Sequence, residues 1–295
     1  MISFRRPRRA LLLALAIPLV AQNPPEKQLL RLSFQPGASR FYRMTVETET
    51  KVKAGDKELT VDTTMEQVLE MKCVEVKDGK ALIDLTTQRL ILKATAPVKV
   101  DYDSDVEGSS PGMLRNAVDM LGKTIAMRVD ERGKLSDVEV PEAFAALGMF
   151  GSGGVEQMMS QALPQMPEAP VSIGDTWETR SKMSMGKMGT GELTIVNKVA
   201  ALEKGAVRID QAMQMEVDAD SPSVGKFQPG KCAGSTVVDL ATGSIRESSM
   251  DSGMSASGNT SMEMLMHTKL RTIDAPPAKS DAVKEPAKTE TGKGR

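Results

Sequence analysis

Two-residue alternation of apolar and polar side chains dominates this chain, and helical periodicity is rare. In the stretch around Leu69, Met71 and Cys73 the apolar residues share one face while Glu70 and Lys72 take the other, the signature of a half-buried strand. Glycine and aspartate punctuation divides such stretches into predicted strands at Leu29–Phe34, Phe41–Lys53, Glu58–Val76, Ala81–Lys93, Thr124–Asp130 and Leu135–Val140. Pro36-Gly37 and Gly55-Asp56 mark turns, and Asp78-Gly79 is a strong hairpin signal. A second series follows: Thr176–Met185, Glu192–Leu202, Val207–Val217, Ser235–Leu240 and Ile245 onward, with a final strand through His267.

The two series share internal spacing. Gly79 and Asp84 have counterparts in Gly205 and Asp210, and Val129-Asp130 before Gly133 is echoed by Val238-Asp239 before Gly243 with one residue inserted. The expectation is a mainly β protein of two consecutive antiparallel units, each a curved sheet or half-barrel, related by a weak internal repeat. Short helices are expected between them. Leu114, Val118 and Leu121 fall at helical spacing within 113–121, and Pro141–Met149 and Val155–Leu163 suggest two more helices before the prolines at 164, 167 and 170. The organisation read from this pattern is a first unit at 22–140, a helical and proline-rich connector at 141–170, and a second unit at 171–274. The stretch 275–295, rich in Ala, Pro, Lys and Glu, is expected to be a disordered tail.

The N-terminus adds a compartment. Arg5, Arg6, Arg8 and Arg9 precede an apolar run from Ala10 to Ala21 that is too short for a spanning helix and holds Pro18, so residues 1–21 read as a secretory signal peptide cleaved after Ala21. A periplasmic or secreted protein with no stable transmembrane segment is expected. Loss of four arginines takes the formal charge from −1 to −5. A mildly acidic surface without a basic stripe argues against nucleic-acid binding. The two cysteines, Cys73 and Cys232, allow one disulfide across the halves in an oxidising compartment, while the alternation around Cys73 reads equally as a buried thiol.

The most distinctive stretch runs from Leu163-Pro164 through Pro167 and Pro170 to Gly174-Asp175-Thr176-Trp177. With Phe34, Pro36-Gly37, Tyr42 and the Asp130–Gly133 turn, it resembles a family of exported bacterial β-rich proteins, a domain of unknown function. The resemblance spans Leu29 to Asp274. It implies an exported β module and no catalytic residues. Trp177, the sole tryptophan, is expected to anchor the first strand of the second half in the core.

Parts for catalysis are scarce. His267 is the only histidine, which removes a histidine-based zinc site, and there is no Gly-x-Ser-x-Gly elbow, phosphate loop or dinucleotide fingerprint. Neither a cofactor nor a metal is expected. Paired carboxylates remain open as a hydrolase reading. The unusual component is methionine, 21 residues against nine aromatics. Met183 and Met185 share a strand face, as do Met213 and Met215, and Met262, Met264 and Met266. Three readings follow: Cu(I) ligation, gap-filling of an irregular core, and a thioether-lined sheet, covered by the central helices, that takes an apolar ligand such as a lipid. The expected function is a non-catalytic binding or scaffold protein of the bacterial envelope whose partner is a lipid or another envelope component. An interaction protein without a small ligand is the alternative.

Overall fold

The computed structural model describes residues 27–97, 99–112, 115–142, 164–184, 190–203, 205–217, 226–257 and 260–275. The first series gives β1 Ser39–Ala54, β2 Lys57–Lys77, β3 Lys80–Ala94, β4 Val100–Asp103, the helix α1 Arg115–Val118, β5 Thr124–Asp130 and β6 Leu135–Glu139. The second gives β7 Thr176–Ser184, β8 Thr190–Glu203, β9 Ala206–Val217, β10 Lys226–Pro229, β11 Cys232–Asp239, β12 Ile245–Ser257 and β13 Thr260–Ile273. The mainly β expectation holds. The two series are not separate sheets: they are wings of one antiparallel sheet in the order β6-β5-β3-β2-β1-β13-β12-β11-β9-β8-β7, with β4 paired to β3 and β10 to β12. The seam is the pairing of β1 with β13, fourteen residues in continuous register from Phe41 opposite Ile273 to Ala54 opposite Thr260. Asp78 and Gly79, at φ 51° and 74°, make the tight β2–β3 hairpin that their sequence announces.

Alternation along each strand, carried through the register, separates charge onto one face. Tyr42, Met44, Val46, Thr48, Thr50 and Val52 of β1 lie opposite Leu69, Gln67, Met65, Thr63, Val61 and Leu59 of β2. On the other side they lie opposite Thr272, Leu270, Thr268, Met266, Met264 and Met262 of β13. The same face continues through Ser248, Met250, Ser252, Met254 and Ala256 of β12 and reaches β11, β9 and β8 through Gly234, Gln211 and Asn197. No ionisable acid or base occupies these positions. Their alternates on the opposite face include Arg43, Glu47, Glu49, Lys51, Glu247, Asp251, Glu263, His267 and Lys269. Charge returns to the uncharged side at one end of the sheet, where Arg40 donates to the Ser33 and Thr242 carbonyls and Arg246 pairs with Asp239.

That end holds the main core. Ile83, Met127 and Val129 of the first wing and Val207, Ile209 and Val238 of the second belong to one buried cluster with Leu30, Leu32, Met166 and Val171. In a flat sheet β5 and β9 would stand about 34 Å apart at seven strand spacings, so the sheet curls over this cluster. Two irregular segments stopper it. Gln28 and Val171 exchange backbone hydrogen bonds, Leu32 N donates to the Glu131 carbonyl, and Met166 N donates to the Arg132 carbonyl. Leu29–Phe34 is therefore not the strand its alternation predicts: Leu30 and Leu32 are buried between the wings, and the backbone bonds to loop carbonyls and not to a neighbouring ladder. Trp177 packs against the same cluster and donates its indole N–H to the Gln165 carbonyl at 2.7 Å. Of the helix expected at 113–121 the structure shows α1, whose Ala117 and Val118 cover Leu90, Leu92 and Tyr102. The short strands β4 and β10 had no counterpart in the pattern. The leader at 1–21, the helices read at 141–163 apart from the first residues, and nearly all of the tail lie outside the described residues.

Asp130 and Asp239 hold equivalent turns at this end. Asp130 Oδ1 accepts from Arg132 N and Lys134 N at 2.9 Å, and Asp239 Oδ1 accepts from Ala241 N and Thr242 N at 2.9 and 2.8 Å. The glycines that follow, Gly133 and Gly243, have φ of 82° and 60°, and a Cβ on either would strike the stoppering backbone: 2.7 Å from Pro164 O in one case and 2.2 Å from Ser33 N in the other. Gly55 has φ 61° but open space around it. In urea unfolding, Gly55→Ala is expected to cost about 1 kcal/mol of backbone strain and Gly243→Ala more than about 3 kcal/mol by adding backbone displacement. Equal losses would contradict the stopper.

Backbone donors from Thr242, then the Arg246 guanidinium, lower the Asp239 carboxyl from the ordinary 3.8 to about 2. A carboxyl depressed on folding contributes stability above the unfolded value near 4, and this contribution fades as pH falls from there toward 2. Asp239→Asn is expected to lose about 1–2 kcal/mol near neutral pH, a loss that shrinks as pH falls below 4 and through about 2. A difference between variant and parent that is constant across that range would refute the assignment.

Candidate functional site

The uncharged face is buried at the stoppered end and opens progressively along the four central strands β1, β2, β12 and β13. The row Leu69, Tyr42 and Ile245 forms a buried cluster. One step along, a polar belt crosses the second wing. Asn197 donates to the Trp177 carbonyl at 3.5 Å, Gln211 Nε2 donates to Asn197 Oδ1 at 3.1 Å, and Thr236 Oγ1 donates to Gln211 Oε1 at 3.0 Å. With the Thr236 proton so used, Ser248 is the donor in the 3.0 Å Ser248–Thr236 contact. The chain of four side chains points one way, and Asn197, Gln211 and Thr236 are buried. Such a belt is tolerable because each member is satisfied.

Beyond the belt, side chains from β1, β2, β12 and β13 no longer join a buried cluster, apart from Met65 and Met250 at its border. Val46, Val52, Val61, Met254, Met262, Met264 and Met266 are each half-buried, flanked by Thr48, Thr50, Thr63, Ser252 and Thr268. Among the described residues no element packs across this strip. It is an apolar surface carrying hydroxyls and thioethers and no charge, over the four central strands. Long side chains without formal charge and with easily reached rotamers adapt to irregular apolar shapes, and methionine does so best.

The methionines read from the sequence divide. Met264 and Met266 lie on the open strip, with Met262 beside them. Met213 is buried and Met215 half-buried in a packed cluster with Leu193, Ile195, Cys232 and Met250, so these two fill core and do not line open space. Met183 pairs with Gly191 on β7, and Met185 lies outside the described residues. The cavity expected beneath the central helices is absent where α1 sits, because Leu90, Leu92, Ala94, Val100 and Tyr102 pack that ground solid. Met44, Met65, Met250 and Met254 were missed as members of the same face, their partners across the sheet being distant in sequence. Cys73 and Cys232 are free thiols in the structure, Cys73 in the main core and Cys232 in the second-wing cluster. Burial raises the Cys73 thiol above its ordinary value, which keeps it protonated and inert.

The charged face of the same four strands bears a groove of about 810 Å³ bordered by Glu47, Glu49, Asp62, Asp251, Glu263 and the β10–β11 link at Lys231. His267 Nδ1 lies 2.6 Å from Asp251 Oδ1 there, and both side chains are exposed. Among the described residues no three His, Cys, Asp or Glu side chains converge as a metal site. The ion pairs on this face, such as Lys51–Glu49 at 2.8 Å and Lys269–Glu247 at 3.1 Å, are solvated and contribute little to stability.

If the belt is a structural boundary, Gln211→Leu should leave an amide oxygen and a hydroxyl unpaired inside the sheet and lower stability by about 2–3 kcal/mol, read by urea unfolding. A loss below about 0.5 kcal/mol would show the belt to be solvated.

No family model matches the sequence, and no curated protein does. Among solved structures the chain is similar to lipovitellin, described for its lipid–protein interactions, with a TM-score of 0.50 and 13% identity over 84% of this chain. The matched part is 27% of the lipovitellin chain, so this protein spans about a quarter of that one. The likeness concerns fold. An outer-membrane channel from Pseudomonas putida F1 and DynF of the dynemicin pathway of Micromonospora chersina also match, at TM-scores of 0.29 and 0.22 and identities of 9% and 7%. The first match covers 85% of this chain and 100% of the channel, the second 89% and 92%. Scores that low carry no argument.

Proposed function

We propose that this protein is an exported, non-catalytic binding protein of the bacterial envelope that holds an apolar ligand such as a lipid on the uncharged face of β1, β2, β12 and β13. The observation carrying the proposal is the half-buried strip of Met262, Met264, Met266, Val52 and Val61, which none of the described elements covers. Apolar surface of this kind gains roughly 25 cal/mol for each Å² removed from water, and a contiguous patch on a folded protein marks an interaction surface. The fold likeness to lipovitellin supports a lipid as the ligand, and the leader-like segment at 1–21 supports export. The absence of ionisable groups along the strip supports binding over chemistry at that place.

Purified mature protein should therefore copurify with lipid detectable after organic extraction and in native mass spectrometry. The double variant Met264→Asp/Met266→Asp, which sets two carboxylates in the strip, is expected to reduce retained lipid by more than about tenfold, since an ionised group cannot be covered by an alkyl chain without losing its hydration. Leu265→Asp, on the charged face between them, is expected to retain it. Should wild-type protein carry no lipid and extract none from vesicles, the reading is wrong.

A further inference from the structure

One buried group on the uncharged face is not fully used. Gln67 is 5% exposed, and its amide nitrogen makes only a weak 3.5 Å contact to the Met65 sulfur. Its carboxamide oxygen accepts no hydrogen bond from a described residue, and it is not among the fully enclosed atoms that lack a partner. In the second wing the corresponding row is closed by the satisfied Thr236–Ser248 pair, and Met44 and Leu270 lie between that pair and Gln67. The first wing thus ends its open strip with a free acceptor. From Gln67 the uncharged positions run outward through Met65, Thr63 and Val61 to Leu59, about 27 Å along the strand at 3.4 Å per residue, enough for an extended long acyl chain.

We propose, resting on the binding reading above, that the ligand is an electroneutral lipid with a hydroxyl donor, an acylglycerol or fatty alcohol. Its hydroxyl would meet Gln67 Oε1 and its chain would lie along β2 and β1 toward their hairpin. The charge pattern excludes anionic headgroups from the covered part. No lysine or arginine occurs between Tyr42 and Val52, or between Leu59 and Cys73, at positions on this face. A phosphate laid there would lose its hydration and gain no cation in return. A hydroxyl loses little and gains the acceptor that the fold leaves unmatched.

The test is competition on the full mature chain. Dioleoylglycerol, trioleoylglycerol and dioleoylphosphatidylglycerol are offered in equal amounts in neutral phosphatidylcholine vesicles, and the lipid recovered with the reisolated protein is quantified. Dioleoylglycerol is expected to exceed trioleoylglycerol by roughly three- to tenfold, the worth of one hydrogen bond, and the anionic lipid by more than about tenfold. Gln67→Leu should erase the preference between the two neutral lipids by lowering diacylglycerol uptake to the triacylglycerol level; should that variant fail to fold, Gln67→Met serves. Equal uptake of the anionic lipid would overturn the inference and leave the carrier reading standing. Persistence of the diacylglycerol preference in the variant would remove Gln67 from it. Uptake of none of the three would defeat both.

Discussion

The structure depends on one constraint: away from the stoppered end, paired strands must be in a register that puts the charges on the same side of the sheet. Within a strand the alternation is local, but a face of eleven strands is uncharged only if each ladder preserves the phase of its neighbour. A slip of one residue between β1 and β13 would set Glu47 and Glu49 beside Met266 and Met264, and would put His267 and Lys269 beside Val46 and Met44. Burying or half-burying those charges costs more than a slip could recover elsewhere, so electrostatics and not hairpin turns hold the seam in phase. The seam most needs such a device, since β1 and β13 are joined by no turn.

Given that phase, curvature follows. Among the described residues only the short α1 covers part of the uncharged face, and elsewhere the face covers itself where it can: the sheet curls at one end over Ile83, Met127, Val207 and Ile209, and the segments around Leu32 and Met166 fill the space left between the wings. The paired turns at Asp130 and Asp239 must then let foreign backbone pass within van der Waals distance, and each contains a glycine at that crossing. Away from the stopper the face of the four central strands is left partly to solvent, while Leu92 and Ala94 of β3 and Leu193 of β8 stay buried in clusters of their own. Along β1 and β2 burial therefore grades from nearly complete at Tyr42 and Leu69 to partial at Val52 and Val61.

Alternation made the strands legible, and most boundaries fell within a few residues. What the alternation could not distinguish was a strand from an extended segment with the same burial: Leu30 and Leu32 point into the core at a spacing of two, as a ladder strand would, but their backbone bonds to loops. It also could not tell one sheet from two, because the pairing that unites the wings joins the two ends of the β region and leaves no local mark. The sequence marks the site through its methionines, and the structure sets Met264 and Met266 on the open strip and Met213 and Met215 in a packed cluster. Their strand faces are the same, and Met213 and Met266 fall in the same row by register; what separates them is the packing of Leu193, Ile195 and Cys232 around Met213 in the second wing. Met44 and Met65 escaped notice because threonines and valines alternate with glutamates around them, a pattern that announces a strand but not what lies across it. Cys73 and Cys232 do share the uncharged face. They sit in different wings and different clusters, and no spacing rule could have shown that.

An exposed apolar face on a large open sheet invites aggregation, and the location of the protective features indicates which surface is meant to stay available. The free edges are guarded. At β6 the strand is five residues long and Asp137 takes φ 50°, breaking the ladder. At β7 Glu178, Arg180 and Lys182 alternate along the strand and oppose docking of an uncharged partner edge. The central strip has no such guard. Its hydroxyls, from Thr48, Thr50, Thr63 and Ser252, moderate its apolarity without introducing charge, and its methionines replace the flat aromatic surfaces that would stack sheet against sheet. A face meant only for burial would have no use for the hydroxyls, and a face meant only for solvent would have no reason to exclude every charge. Retaining the first and excluding the second suits contact with a flexible, uncharged, intermittently present partner.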